Sequence, residues 1–281
     1  MTPNRGGCRK RLELQQKHHL FRKNLTGFKK MILSIHIPKC GGQSFSEYLR
    51  KNLGDRYVED YGILARPLDR TKSSPTKQLI RKTLRGLPFG AELLRMRDKM
   101  GEASRITKLT DGVKCIHGHF PVSKYIDQFP DATLVTWVRD PAERLLSEYN
   151  YFMSSPESAP KWFNYKMNFR DFMGLEETRN EMSGYLNRKY PEGFAFIGIT
   201  EHYDECLKYF ADKFFSGYPL PPGGAPRLNT GRKKEPLSEE LRNLAKEYHP
   251  RDYEIYQAGL VFYEGQIAEG KSEEIPSLPI A

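Results

Sequence analysis

The sequence lacks any apolar run that approaches the roughly 20 residues needed to span a bilayer. It also lacks the apolar core of a signal peptide behind its N-terminus. Cysteine is scarce: the four residues Cys8, Cys40, Cys115 and Cys206 lie far apart and form no CxxC pair. No disulfide framework is therefore expected, and a reducing compartment is indicated. Together these absences predict a cytoplasmic protein without a transmembrane segment.

Acidic residues are under-represented, with 35 Asp and Glu against 45 Lys and Arg in 281 residues, for a net charge of +10. The excess is concentrated in residues 1–30 and 66–108. Neither segment contains a recognisable nucleic-acid-reading motif, so solvated basic segments are favoured over nucleic-acid binding. We expect residues 1–30 to be a disordered extension, or a basic surface helix with weak membrane-surface contact. Residues 66–108 are interpreted as a basic insertion bordering the site.

A strand, a glycine turn and a helix start follow one another from residue 31. Residues 31–37 form a short aliphatic run typical of a buried strand, and the proline that follows ends it. Gly41 and Gly42 allow a tight turn, and apolar residues at helical spacing begin after Ser44. The amides and positive dipole end of the helix would form a cradle for a phosphate-like anion, with Lys39 as a mobile cation.

Lys39 precedes the glycines instead of following them. The GxxxxGK[ST] signature of nucleotide triphosphatases, with its magnesium-binding hydroxyl, is therefore absent. An ordinary βα turn with a solvent-facing lysine is the alternative interpretation. The pattern indicates a phosphate-like anion and gives little support to ATP.

Further strands and helices alternate along the chain. Strands are predicted at residues 113–116, 132–138 and 194–199, and closing helices at 238–248 and 252–264. This alternation predicts an α/β fold with a parallel sheet covered by helices on both faces. One domain is predicted over residues 31–265, followed by a tail at 266–281. Ligands of such folds bind at the carboxyl ends of the strands.

A second anion site is predicted where the strand at 132–138 ends. Arg139 follows that strand directly, and Asp140 and Glu143 suit the start of a helix. Ser147 lies two turns into this helix, so a charged fork and a hydroxyl could hold an anion together. The alternative is a structural ion pair of Arg139 with Asp140 or Glu143.

Two histidines, His117 and His119, leave the strand at 113–116. In extended backbone both would face the same way. Beside an anion cradle, a group with an unperturbed pKa of about 6.5 is suited to take a proton from a hydroxyl. With Cys115 the pattern is Cys-x-His-x-His, but no fourth ligand or catalytic trio is evident, so no metal is expected.

At this point three segments resemble a known family. IHIPKCGGQSF is similar to the 5′-phosphosulfate loop of sulfotransferases that use 3′-phosphoadenosine 5′-phosphosulfate (PAPS), and TWVRDPAERLLSEYNYF to their 3′-phosphate element. CIHGHFPVSKYID resembles the HGH segment of carbohydrate sulfotransferases, especially the uronyl 2-O type. FIGITEHYDECLKYF and LNTGRKKE follow in the family's order. The resemblance covers residues 31–264 and implies a P-loop-NTPase-like sulfotransferase fold.

The resemblance implies a role for each matching residue. Lys39 would neutralise the oxygen that bridges phosphate and sulfate, His119 would be the general base, and His117 would orient it or the acceptor. The 3′-phosphate would be bound by Arg139 and Ser147. The 5′-phosphate would be held by Cys40, Gly41, Gly42, Gln43, Ser44 and Phe45, and the nucleotide covered by Thr230, Gly231, Arg232 and Lys233. The acceptor would be a hydroxyl, on a glycan or glycolipid.

Cys40 and Gln43 stand where the family usually has threonine, which predicts weaker donor binding. Two alternatives stay open: a nucleotide-dependent phosphoryl transferase on the same sheet, and a non-enzymatic basic protein that binds polyanions through residues 1–30 and 66–108. The oligomeric state is not indicated.

Overall fold

The computed structural model describes residues 30–61, 112–186, 190–215, 220 and 236–273. The predicted basic insertion at 66–108 lies outside the described residues, as does nearly all of the predicted extension at 1–30. The same holds for the four residues predicted to cover the nucleotide: Thr230, Gly231, Arg232 and Lys233.

The described residues contain a five-stranded parallel sheet. Its strands are β1 (Ile32–Ile35), β2 (Tyr57–Asp60), β3 (Cys115–Gly118), β4 (Thr133–Val138) and β5 (Phe194–Ile199), in the order β2-β3-β1-β4-β5. Nearly all strand residues are buried, as a parallel sheet covered on both faces requires. The predicted α/β fold class is confirmed.

Helices connect and cover the strands. They are α1 (Gly42–Leu53), α2 (Pro141–Ser154), α3 (Phe169–Met173), α4 (Glu181–Leu186), α5 (Tyr203–Phe214), α6 (Glu239–Tyr248) and α7 (Pro250–Glu273). Short 3₁₀ turns lie at 54–56, 122–124, 156–158, 176–178 and 200–202. As predicted, Asp140 caps α2 by accepting a hydrogen bond from the Glu143 amide at 3.0 Å. No helix in the described ranges is long and apolar enough to cross a membrane.

The central strand β1 lies where the connections diverge. The chain passes from β1 to β2 on one side of the sheet, and then from β3 across β1 to β4 on the other. Such a switch point leaves a crevice at the carboxyl ends of the strands. The His36 amide donates to the Gly118 carbonyl at 2.8 Å, so the residues that follow β1 and β3 lie side by side at this edge.

The main core lies between the sheet, α1 and α5. The Phe45 ring contacts Phe210 of α5, with ring centroids 4.9 Å apart, and Trp137 of β4 at 5.4 Å. Full burial of a phenylalanine side chain contributes about 1.5–3 kcal/mol, so these contacts anchor α1 firmly on the sheet. A second apolar cluster joins α2, α3 and α6.

Two elements differ from the sequence expectation. β2 is absent from the strands predicted by sequence, because its last two residues are acidic. The buried Asp60 accepts a hydrogen bond from the Tyr125 hydroxyl at 2.8 Å and pairs with Lys124. Helix α7 runs past the predicted end at 264, so the segment predicted as a tail begins inside it. The Gln266 amide bonds both backbone groups of Ile197 in β5.

Candidate active site

The loop between β1 and α1 has the geometry of an anion cradle. Lys39 and Gly41 both have positive φ, of 66° and 80°. Helix α1 begins at Gly42, slightly before the predicted start directly after the two glycines. Glycine adopts this backbone region without strain, whereas a lysine there is uncommon and marks a loop whose shape the surroundings impose. The positive end of the α1 dipole therefore lies at the end of the loop that carries Lys39.

Hydrogen bonds from β4 and β5 fix this loop. Arg139 Nη1 donates to the Lys39 carbonyl at 3.2 Å. The Thr200 hydroxyl reaches the carbonyls of Cys40 and Val138 at 3.0 and 2.9 Å. Thr200 thereby ties the loop to the sheet, and α5 begins only at Tyr203.

The residues predicted to hold the 5′-phosphate differ in the solvent exposure of their side chains. Gln43 is exposed, whereas Ser44 is 7% exposed and Cys40 and Phe45 are fully buried in the core. Burial raises the pKa of the Cys40 thiol well above its usual value, and the Cys40 amide donates to Ile37 at 3.3 Å. A side chain at residue 40 thus faces the core. A threonine hydroxyl at this position would also face the core, so this geometry gives no reason for Cys40 to weaken phosphate binding.

One face of α2 borders Lys39 and Arg139. Lys39 Nζ lies 4.1 Å from the centre of the Tyr151 ring, and Arg139 Nη2 lies 4.0 Å from the Glu143 carboxylate. Glu143, Ser147 and Tyr151 are spaced four residues apart and share one helix face. Half-buried Ser147 therefore sits between the neighbours of the two cations.

Arg139 is only loosely held by carboxylates. Its contacts with Glu143 and Glu201 are both 4.0 Å. The predicted alternative, a structural ion pair with Glu143 or Asp140, is weakened because Arg242 approaches these carboxylates more closely, at 2.6 and 3.5 Å. The guanidinium of Arg139 keeps donors that could turn to an anion.

His117 and His119 occupy different environments, because His117 lies within β3 and His119 directly follows it. His117 is 1% exposed, and its Nδ1 lies 2.8 Å from the Ser34 hydroxyl. Burial lowers the pKa of His117 to about 3. His119 is exposed, and partial desolvation together with the Lys39 charge lowers its pKa to about 4. Both imidazoles are neutral at pH 7, but only His119 can meet a ligand without a rearrangement.

The Cys115 side chain, part of the sequence pattern that would suit zinc, is fully buried in the apolar core. In the described ranges, no group of three or more His, Cys, Asp or Glu side chains is arranged to hold a metal ion.

A polar cleft of about 600 Å³ opens beside His119. Its lining is formed by His119, Pro121, Glu176, Arg179, Asn180, Glu181, Ser183, Gly184, Tyr185 and Arg251. Most of these side chains are charged or hydrogen-bonding, so the cleft suits a hydrophilic molecule. Desolvation raises the pKa of Glu181 to about 7, against the opposing effect of its ion pair with Arg144.

Arg144 links the cleft to α2. It is fully buried, and its Nη1 pairs with Glu148 one turn further along α2 at 3.1 Å, and with Glu181 at 2.6 Å. Asp252 adds a third nearby carboxylate and accepts hydrogen bonds from two amides of α4. The cleft wall at α4 is thereby fastened to the helix that carries Ser147.

Comparison with known proteins identifies the family. The sequence model described as "Sulfotransferase family" matches residues 26–214. The chain belongs to the sulfotransferase family. Among solved structures, a sulfotransferase from Alicyclobacillus acidocaldarius is similar at 15% sequence identity with a TM-score of 0.42, over 79% of this chain and 92% of that one. No protein of curated function matches significantly.

Sequence reasoning missed several residues that lie at this candidate site. His36 was treated as part of a strand, although its place just before the Pro-Lys turn puts it at the same edge as Lys39. Tyr61 follows β2, which was itself missed, and Tyr151 lies one turn beyond Ser147. Glu181 had no local signal because only the fold brings it beside His119.

Proposed function

We propose that this sulfotransferase moves the sulfuryl group of PAPS to a carbohydrate hydroxyl, with His119 as the general base. The observation that carries the proposal is the position of His119. Its exposed, neutral imidazole lies within electrostatic reach of Lys39 beside the start of α1, and it also lines the polar cleft. One group thus faces both an anion cradle and a space for an acceptor.

The donor fits the distribution of positive charge. The α1 N-terminus and Lys39 would hold the 5′-phosphosulfate, while Arg139 and Ser147 would bind the 3′-phosphate. Arg139 is joined to the Lys39 carbonyl at 3.2 Å, so the two anion sites share one rigid edge. The covering role of residues 230–233 stays a prediction.

The proposed reaction is an in-line transfer. His119 takes the proton of the acceptor hydroxyl as its oxygen attacks sulfur, and the bond from sulfur to the bridging oxygen breaks. Lys39 stabilises the negative charge that develops on that oxygen, which departs with 3′,5′-ADP (PAP). The protein contributes mainly position and preorganised charge. His117 is too buried to touch an acceptor, which supports an orienting role for it.

The cleft supports a glycan or glycolipid acceptor. Arg179 and Arg251 are exposed on its wall, with Asn180 and Ser183 between them. Glu176 lies 3.5 Å from Arg179 and offsets its charge in part. Such a surface suits a hydroxyl-rich molecule that carries an anionic group. Replacing both arginines with Ala should raise the acceptor KM and leave the affinity for PAP unchanged.

The donor is tested by thermal shift with PAP against ATP plus magnesium. At a hundredfold excess over Kd, a ligand specific for the native state stabilises it by about 2.7 kcal/mol, which is several degrees for a domain of this size. We expect the shift with PAP and none with ATP. A shift with ATP and magnesium alone would replace the proposal with a phosphoryl transferase.

The base is tested by His119→Ala, with His202→Ala as matched control. His202 is exposed and stacks on Tyr263, at ring centroids 5.0 Å apart, outside the site. General-base catalysis is worth about 10²–10⁴-fold, so His119→Ala should lose that much kcat while PAP binding is retained. Full activity of His119→Ala would contradict the assignment.

A further inference from the structure

His119 is held by two aromatic rings. The centre of its ring lies 4.5 Å from that of His36 and 4.8 Å from that of Tyr61, which meets it edge-on at 89°. Within the described part of the chain, the His119 side chain makes no hydrogen bond. Its orientation therefore depends on how firmly these two rings are placed.

His36 is placed from several sides. Its amide donates to the Gly118 carbonyl at 2.8 Å, and its Nδ1 lies 3.0 Å from the Tyr61 hydroxyl. The His36 ring also stacks on the buried His117 ring, at 5.0 Å and 25°. With 7% exposure, it has little room to rotate, and its bond to the Tyr61 hydroxyl places the Tyr61 ring in turn.

His36 also touches the cradle. A Cβ atom placed on Gly42 would lie 1.9–2.4 Å from three atoms of the His36 ring. The ring therefore abuts the first residue of α1, which only a glycine permits. A continuous set of contacts runs from the helix that would hold the donor, through His36, to His119.

We propose that His36 and Tyr61 are positioning residues that form an aromatic clamp and hold the His119 imidazole at the edge of the anion cradle. This inference rests on the proposed role of His119 as the base. A base must lie within hydrogen-bond reach of the acceptor proton, and a misplacement of 1 Å can cost ~100-fold in rate. The clamp fixes that distance by packing, which leaves the ring nitrogens of His119 available to the acceptor.

The test separates the ring from its hydrogen bond. His36→Ala removes both, His36→Phe keeps a ring without Nδ1, and Tyr61→Phe removes only the hydroxyl. The matched control is Tyr165→Phe, which deletes an exposed hydroxyl that bonds the Pro156 carbonyl at 3.3 Å. Each variant is measured for kcat, acceptor KM and the Kd of PAP.

We expect His36→Ala to lower kcat by ~100-fold while PAP affinity stays within twofold. Tyr61→Phe should lower kcat less, and that cost should disappear in the His36→Phe background, because the hydroxyl acts through His36. Tyr165→Phe should match wild type. Equal and independent losses from Tyr61→Phe in both backgrounds would overturn the clamp, as would a loss confined to thermal stability.

A second measurement does not depend on catalytic activity. The pKa of His119, followed by NMR, should rise toward 6.5 in His36→Ala because removing the ring hydrates the imidazole, and should stay low in His36→Phe. The other titratable groups near it, Lys39, His117, Tyr61 and the cleft residue Glu181, keep their side chains in both variants. An unaltered His119 pKa in His36→Ala would overturn the clamp.

Failure of the clamp and failure of the proposed function give different results. If His119→Ala is inactive while the His36 and Tyr61 variants match wild type, the base assignment survives and the clamp is wrong. If His119→Ala is fully active, the base assignment is wrong, and the clamp as a catalytic device falls with it.

Discussion

Gly42→Ala is the substitution that most sharply tests the packing of His36 against the start of α1. The new Cβ would overlap three atoms of the His36 ring at 1.9–2.4 Å, including Cγ at the base of the side chain. His36 cannot easily turn away, because Tyr61 and His117 hold it. Overpacking of this kind costs about 1–3 kcal/mol, whereas Ala in a helix gains at most about 1 kcal/mol over Gly.

The net expectation is a loss of about 1–2 kcal/mol of unfolding free energy, or roughly 2–8 °C in Tm. Urea unfolding followed by circular dichroism measures it, with an unchanged m-value. The matched control is Gly265→Ala in α7, where a Cβ meets nothing within 4 Å. That variant should be as stable as wild type or slightly more so.

The predicted clash between the new Cβ at position 42 and the His36 ring can also be tested in a double variant. In a His36→Ala background the ring is gone, so Gly42→Ala should cost nothing there. A Gly42→Ala protein as stable as wild type would refute the packing argument. So would a double variant that keeps the full Gly42→Ala penalty.

Three further predictions concern charge. Arg139→Ala should weaken PAP far more than adenosine 5′-phosphosulfate in calorimetric titrations, while Arg170→Ala, which breaks an exposed ion pair, should change neither. The pKa values of buried His117 and His249 fall to about 3 and about 4. Each histidine binds a proton near pH 6.5 in the unfolded chain but only at a lower pH in the folded protein. The free energy of unfolding is therefore undiminished above about pH 6.5 and decreases as the pH falls toward 4, by at most about 1.4 kcal/mol per pH unit for each histidine. A urea midpoint that stays constant between pH 7 and pH 5 would contradict this. Arg144→Met should cost about 3–5 kcal/mol because it leaves buried carboxylates unpaired, and urea unfolding should show a smaller cost at acid pH, where they protonate.

The strand, turn and helix from β1 to α1 were predictable because each step has a local cause. An aliphatic run, a proline and two glycines specify that path without reference to the rest of the chain. The start of α2 was also predictable from the local sequence, since Asp140 caps it by accepting a hydrogen bond from the nearby Glu143 amide. Placing Lys39, His119 and Arg139 on one edge needed only the rule that parallel strands share their carboxyl ends.

What could not be predicted depends on contacts between distant residues. β2 contains two acidic residues, and buried Asp60 is stabilised by contacts with Lys124 and Tyr125, which are distant in sequence. In the sequence His36 is indistinguishable from a strand residue, and its place at the site depends on its contacts with the distant residues Gly118 and Tyr61. The different exposure of His117 and His119 also depends on tertiary packing, because only Gly118 separates them in the sequence.

The most direct test of the proposed function is sulfuryl transfer itself. The protein would be incubated with PAPS carrying ³⁵S and a panel of glycans and glycolipids, and the label followed from donor to acceptor. We expect labelled acceptor, with equimolar PAP, in wild type and in Lys208→Ala, whose lysine lies in an exposed ion pair. We expect none in Lys39→Ala. Label that stays in the donor with every acceptor, or that moves equally well without Lys39, would contradict the assignment of this site to carbohydrate sulfuryl transfer.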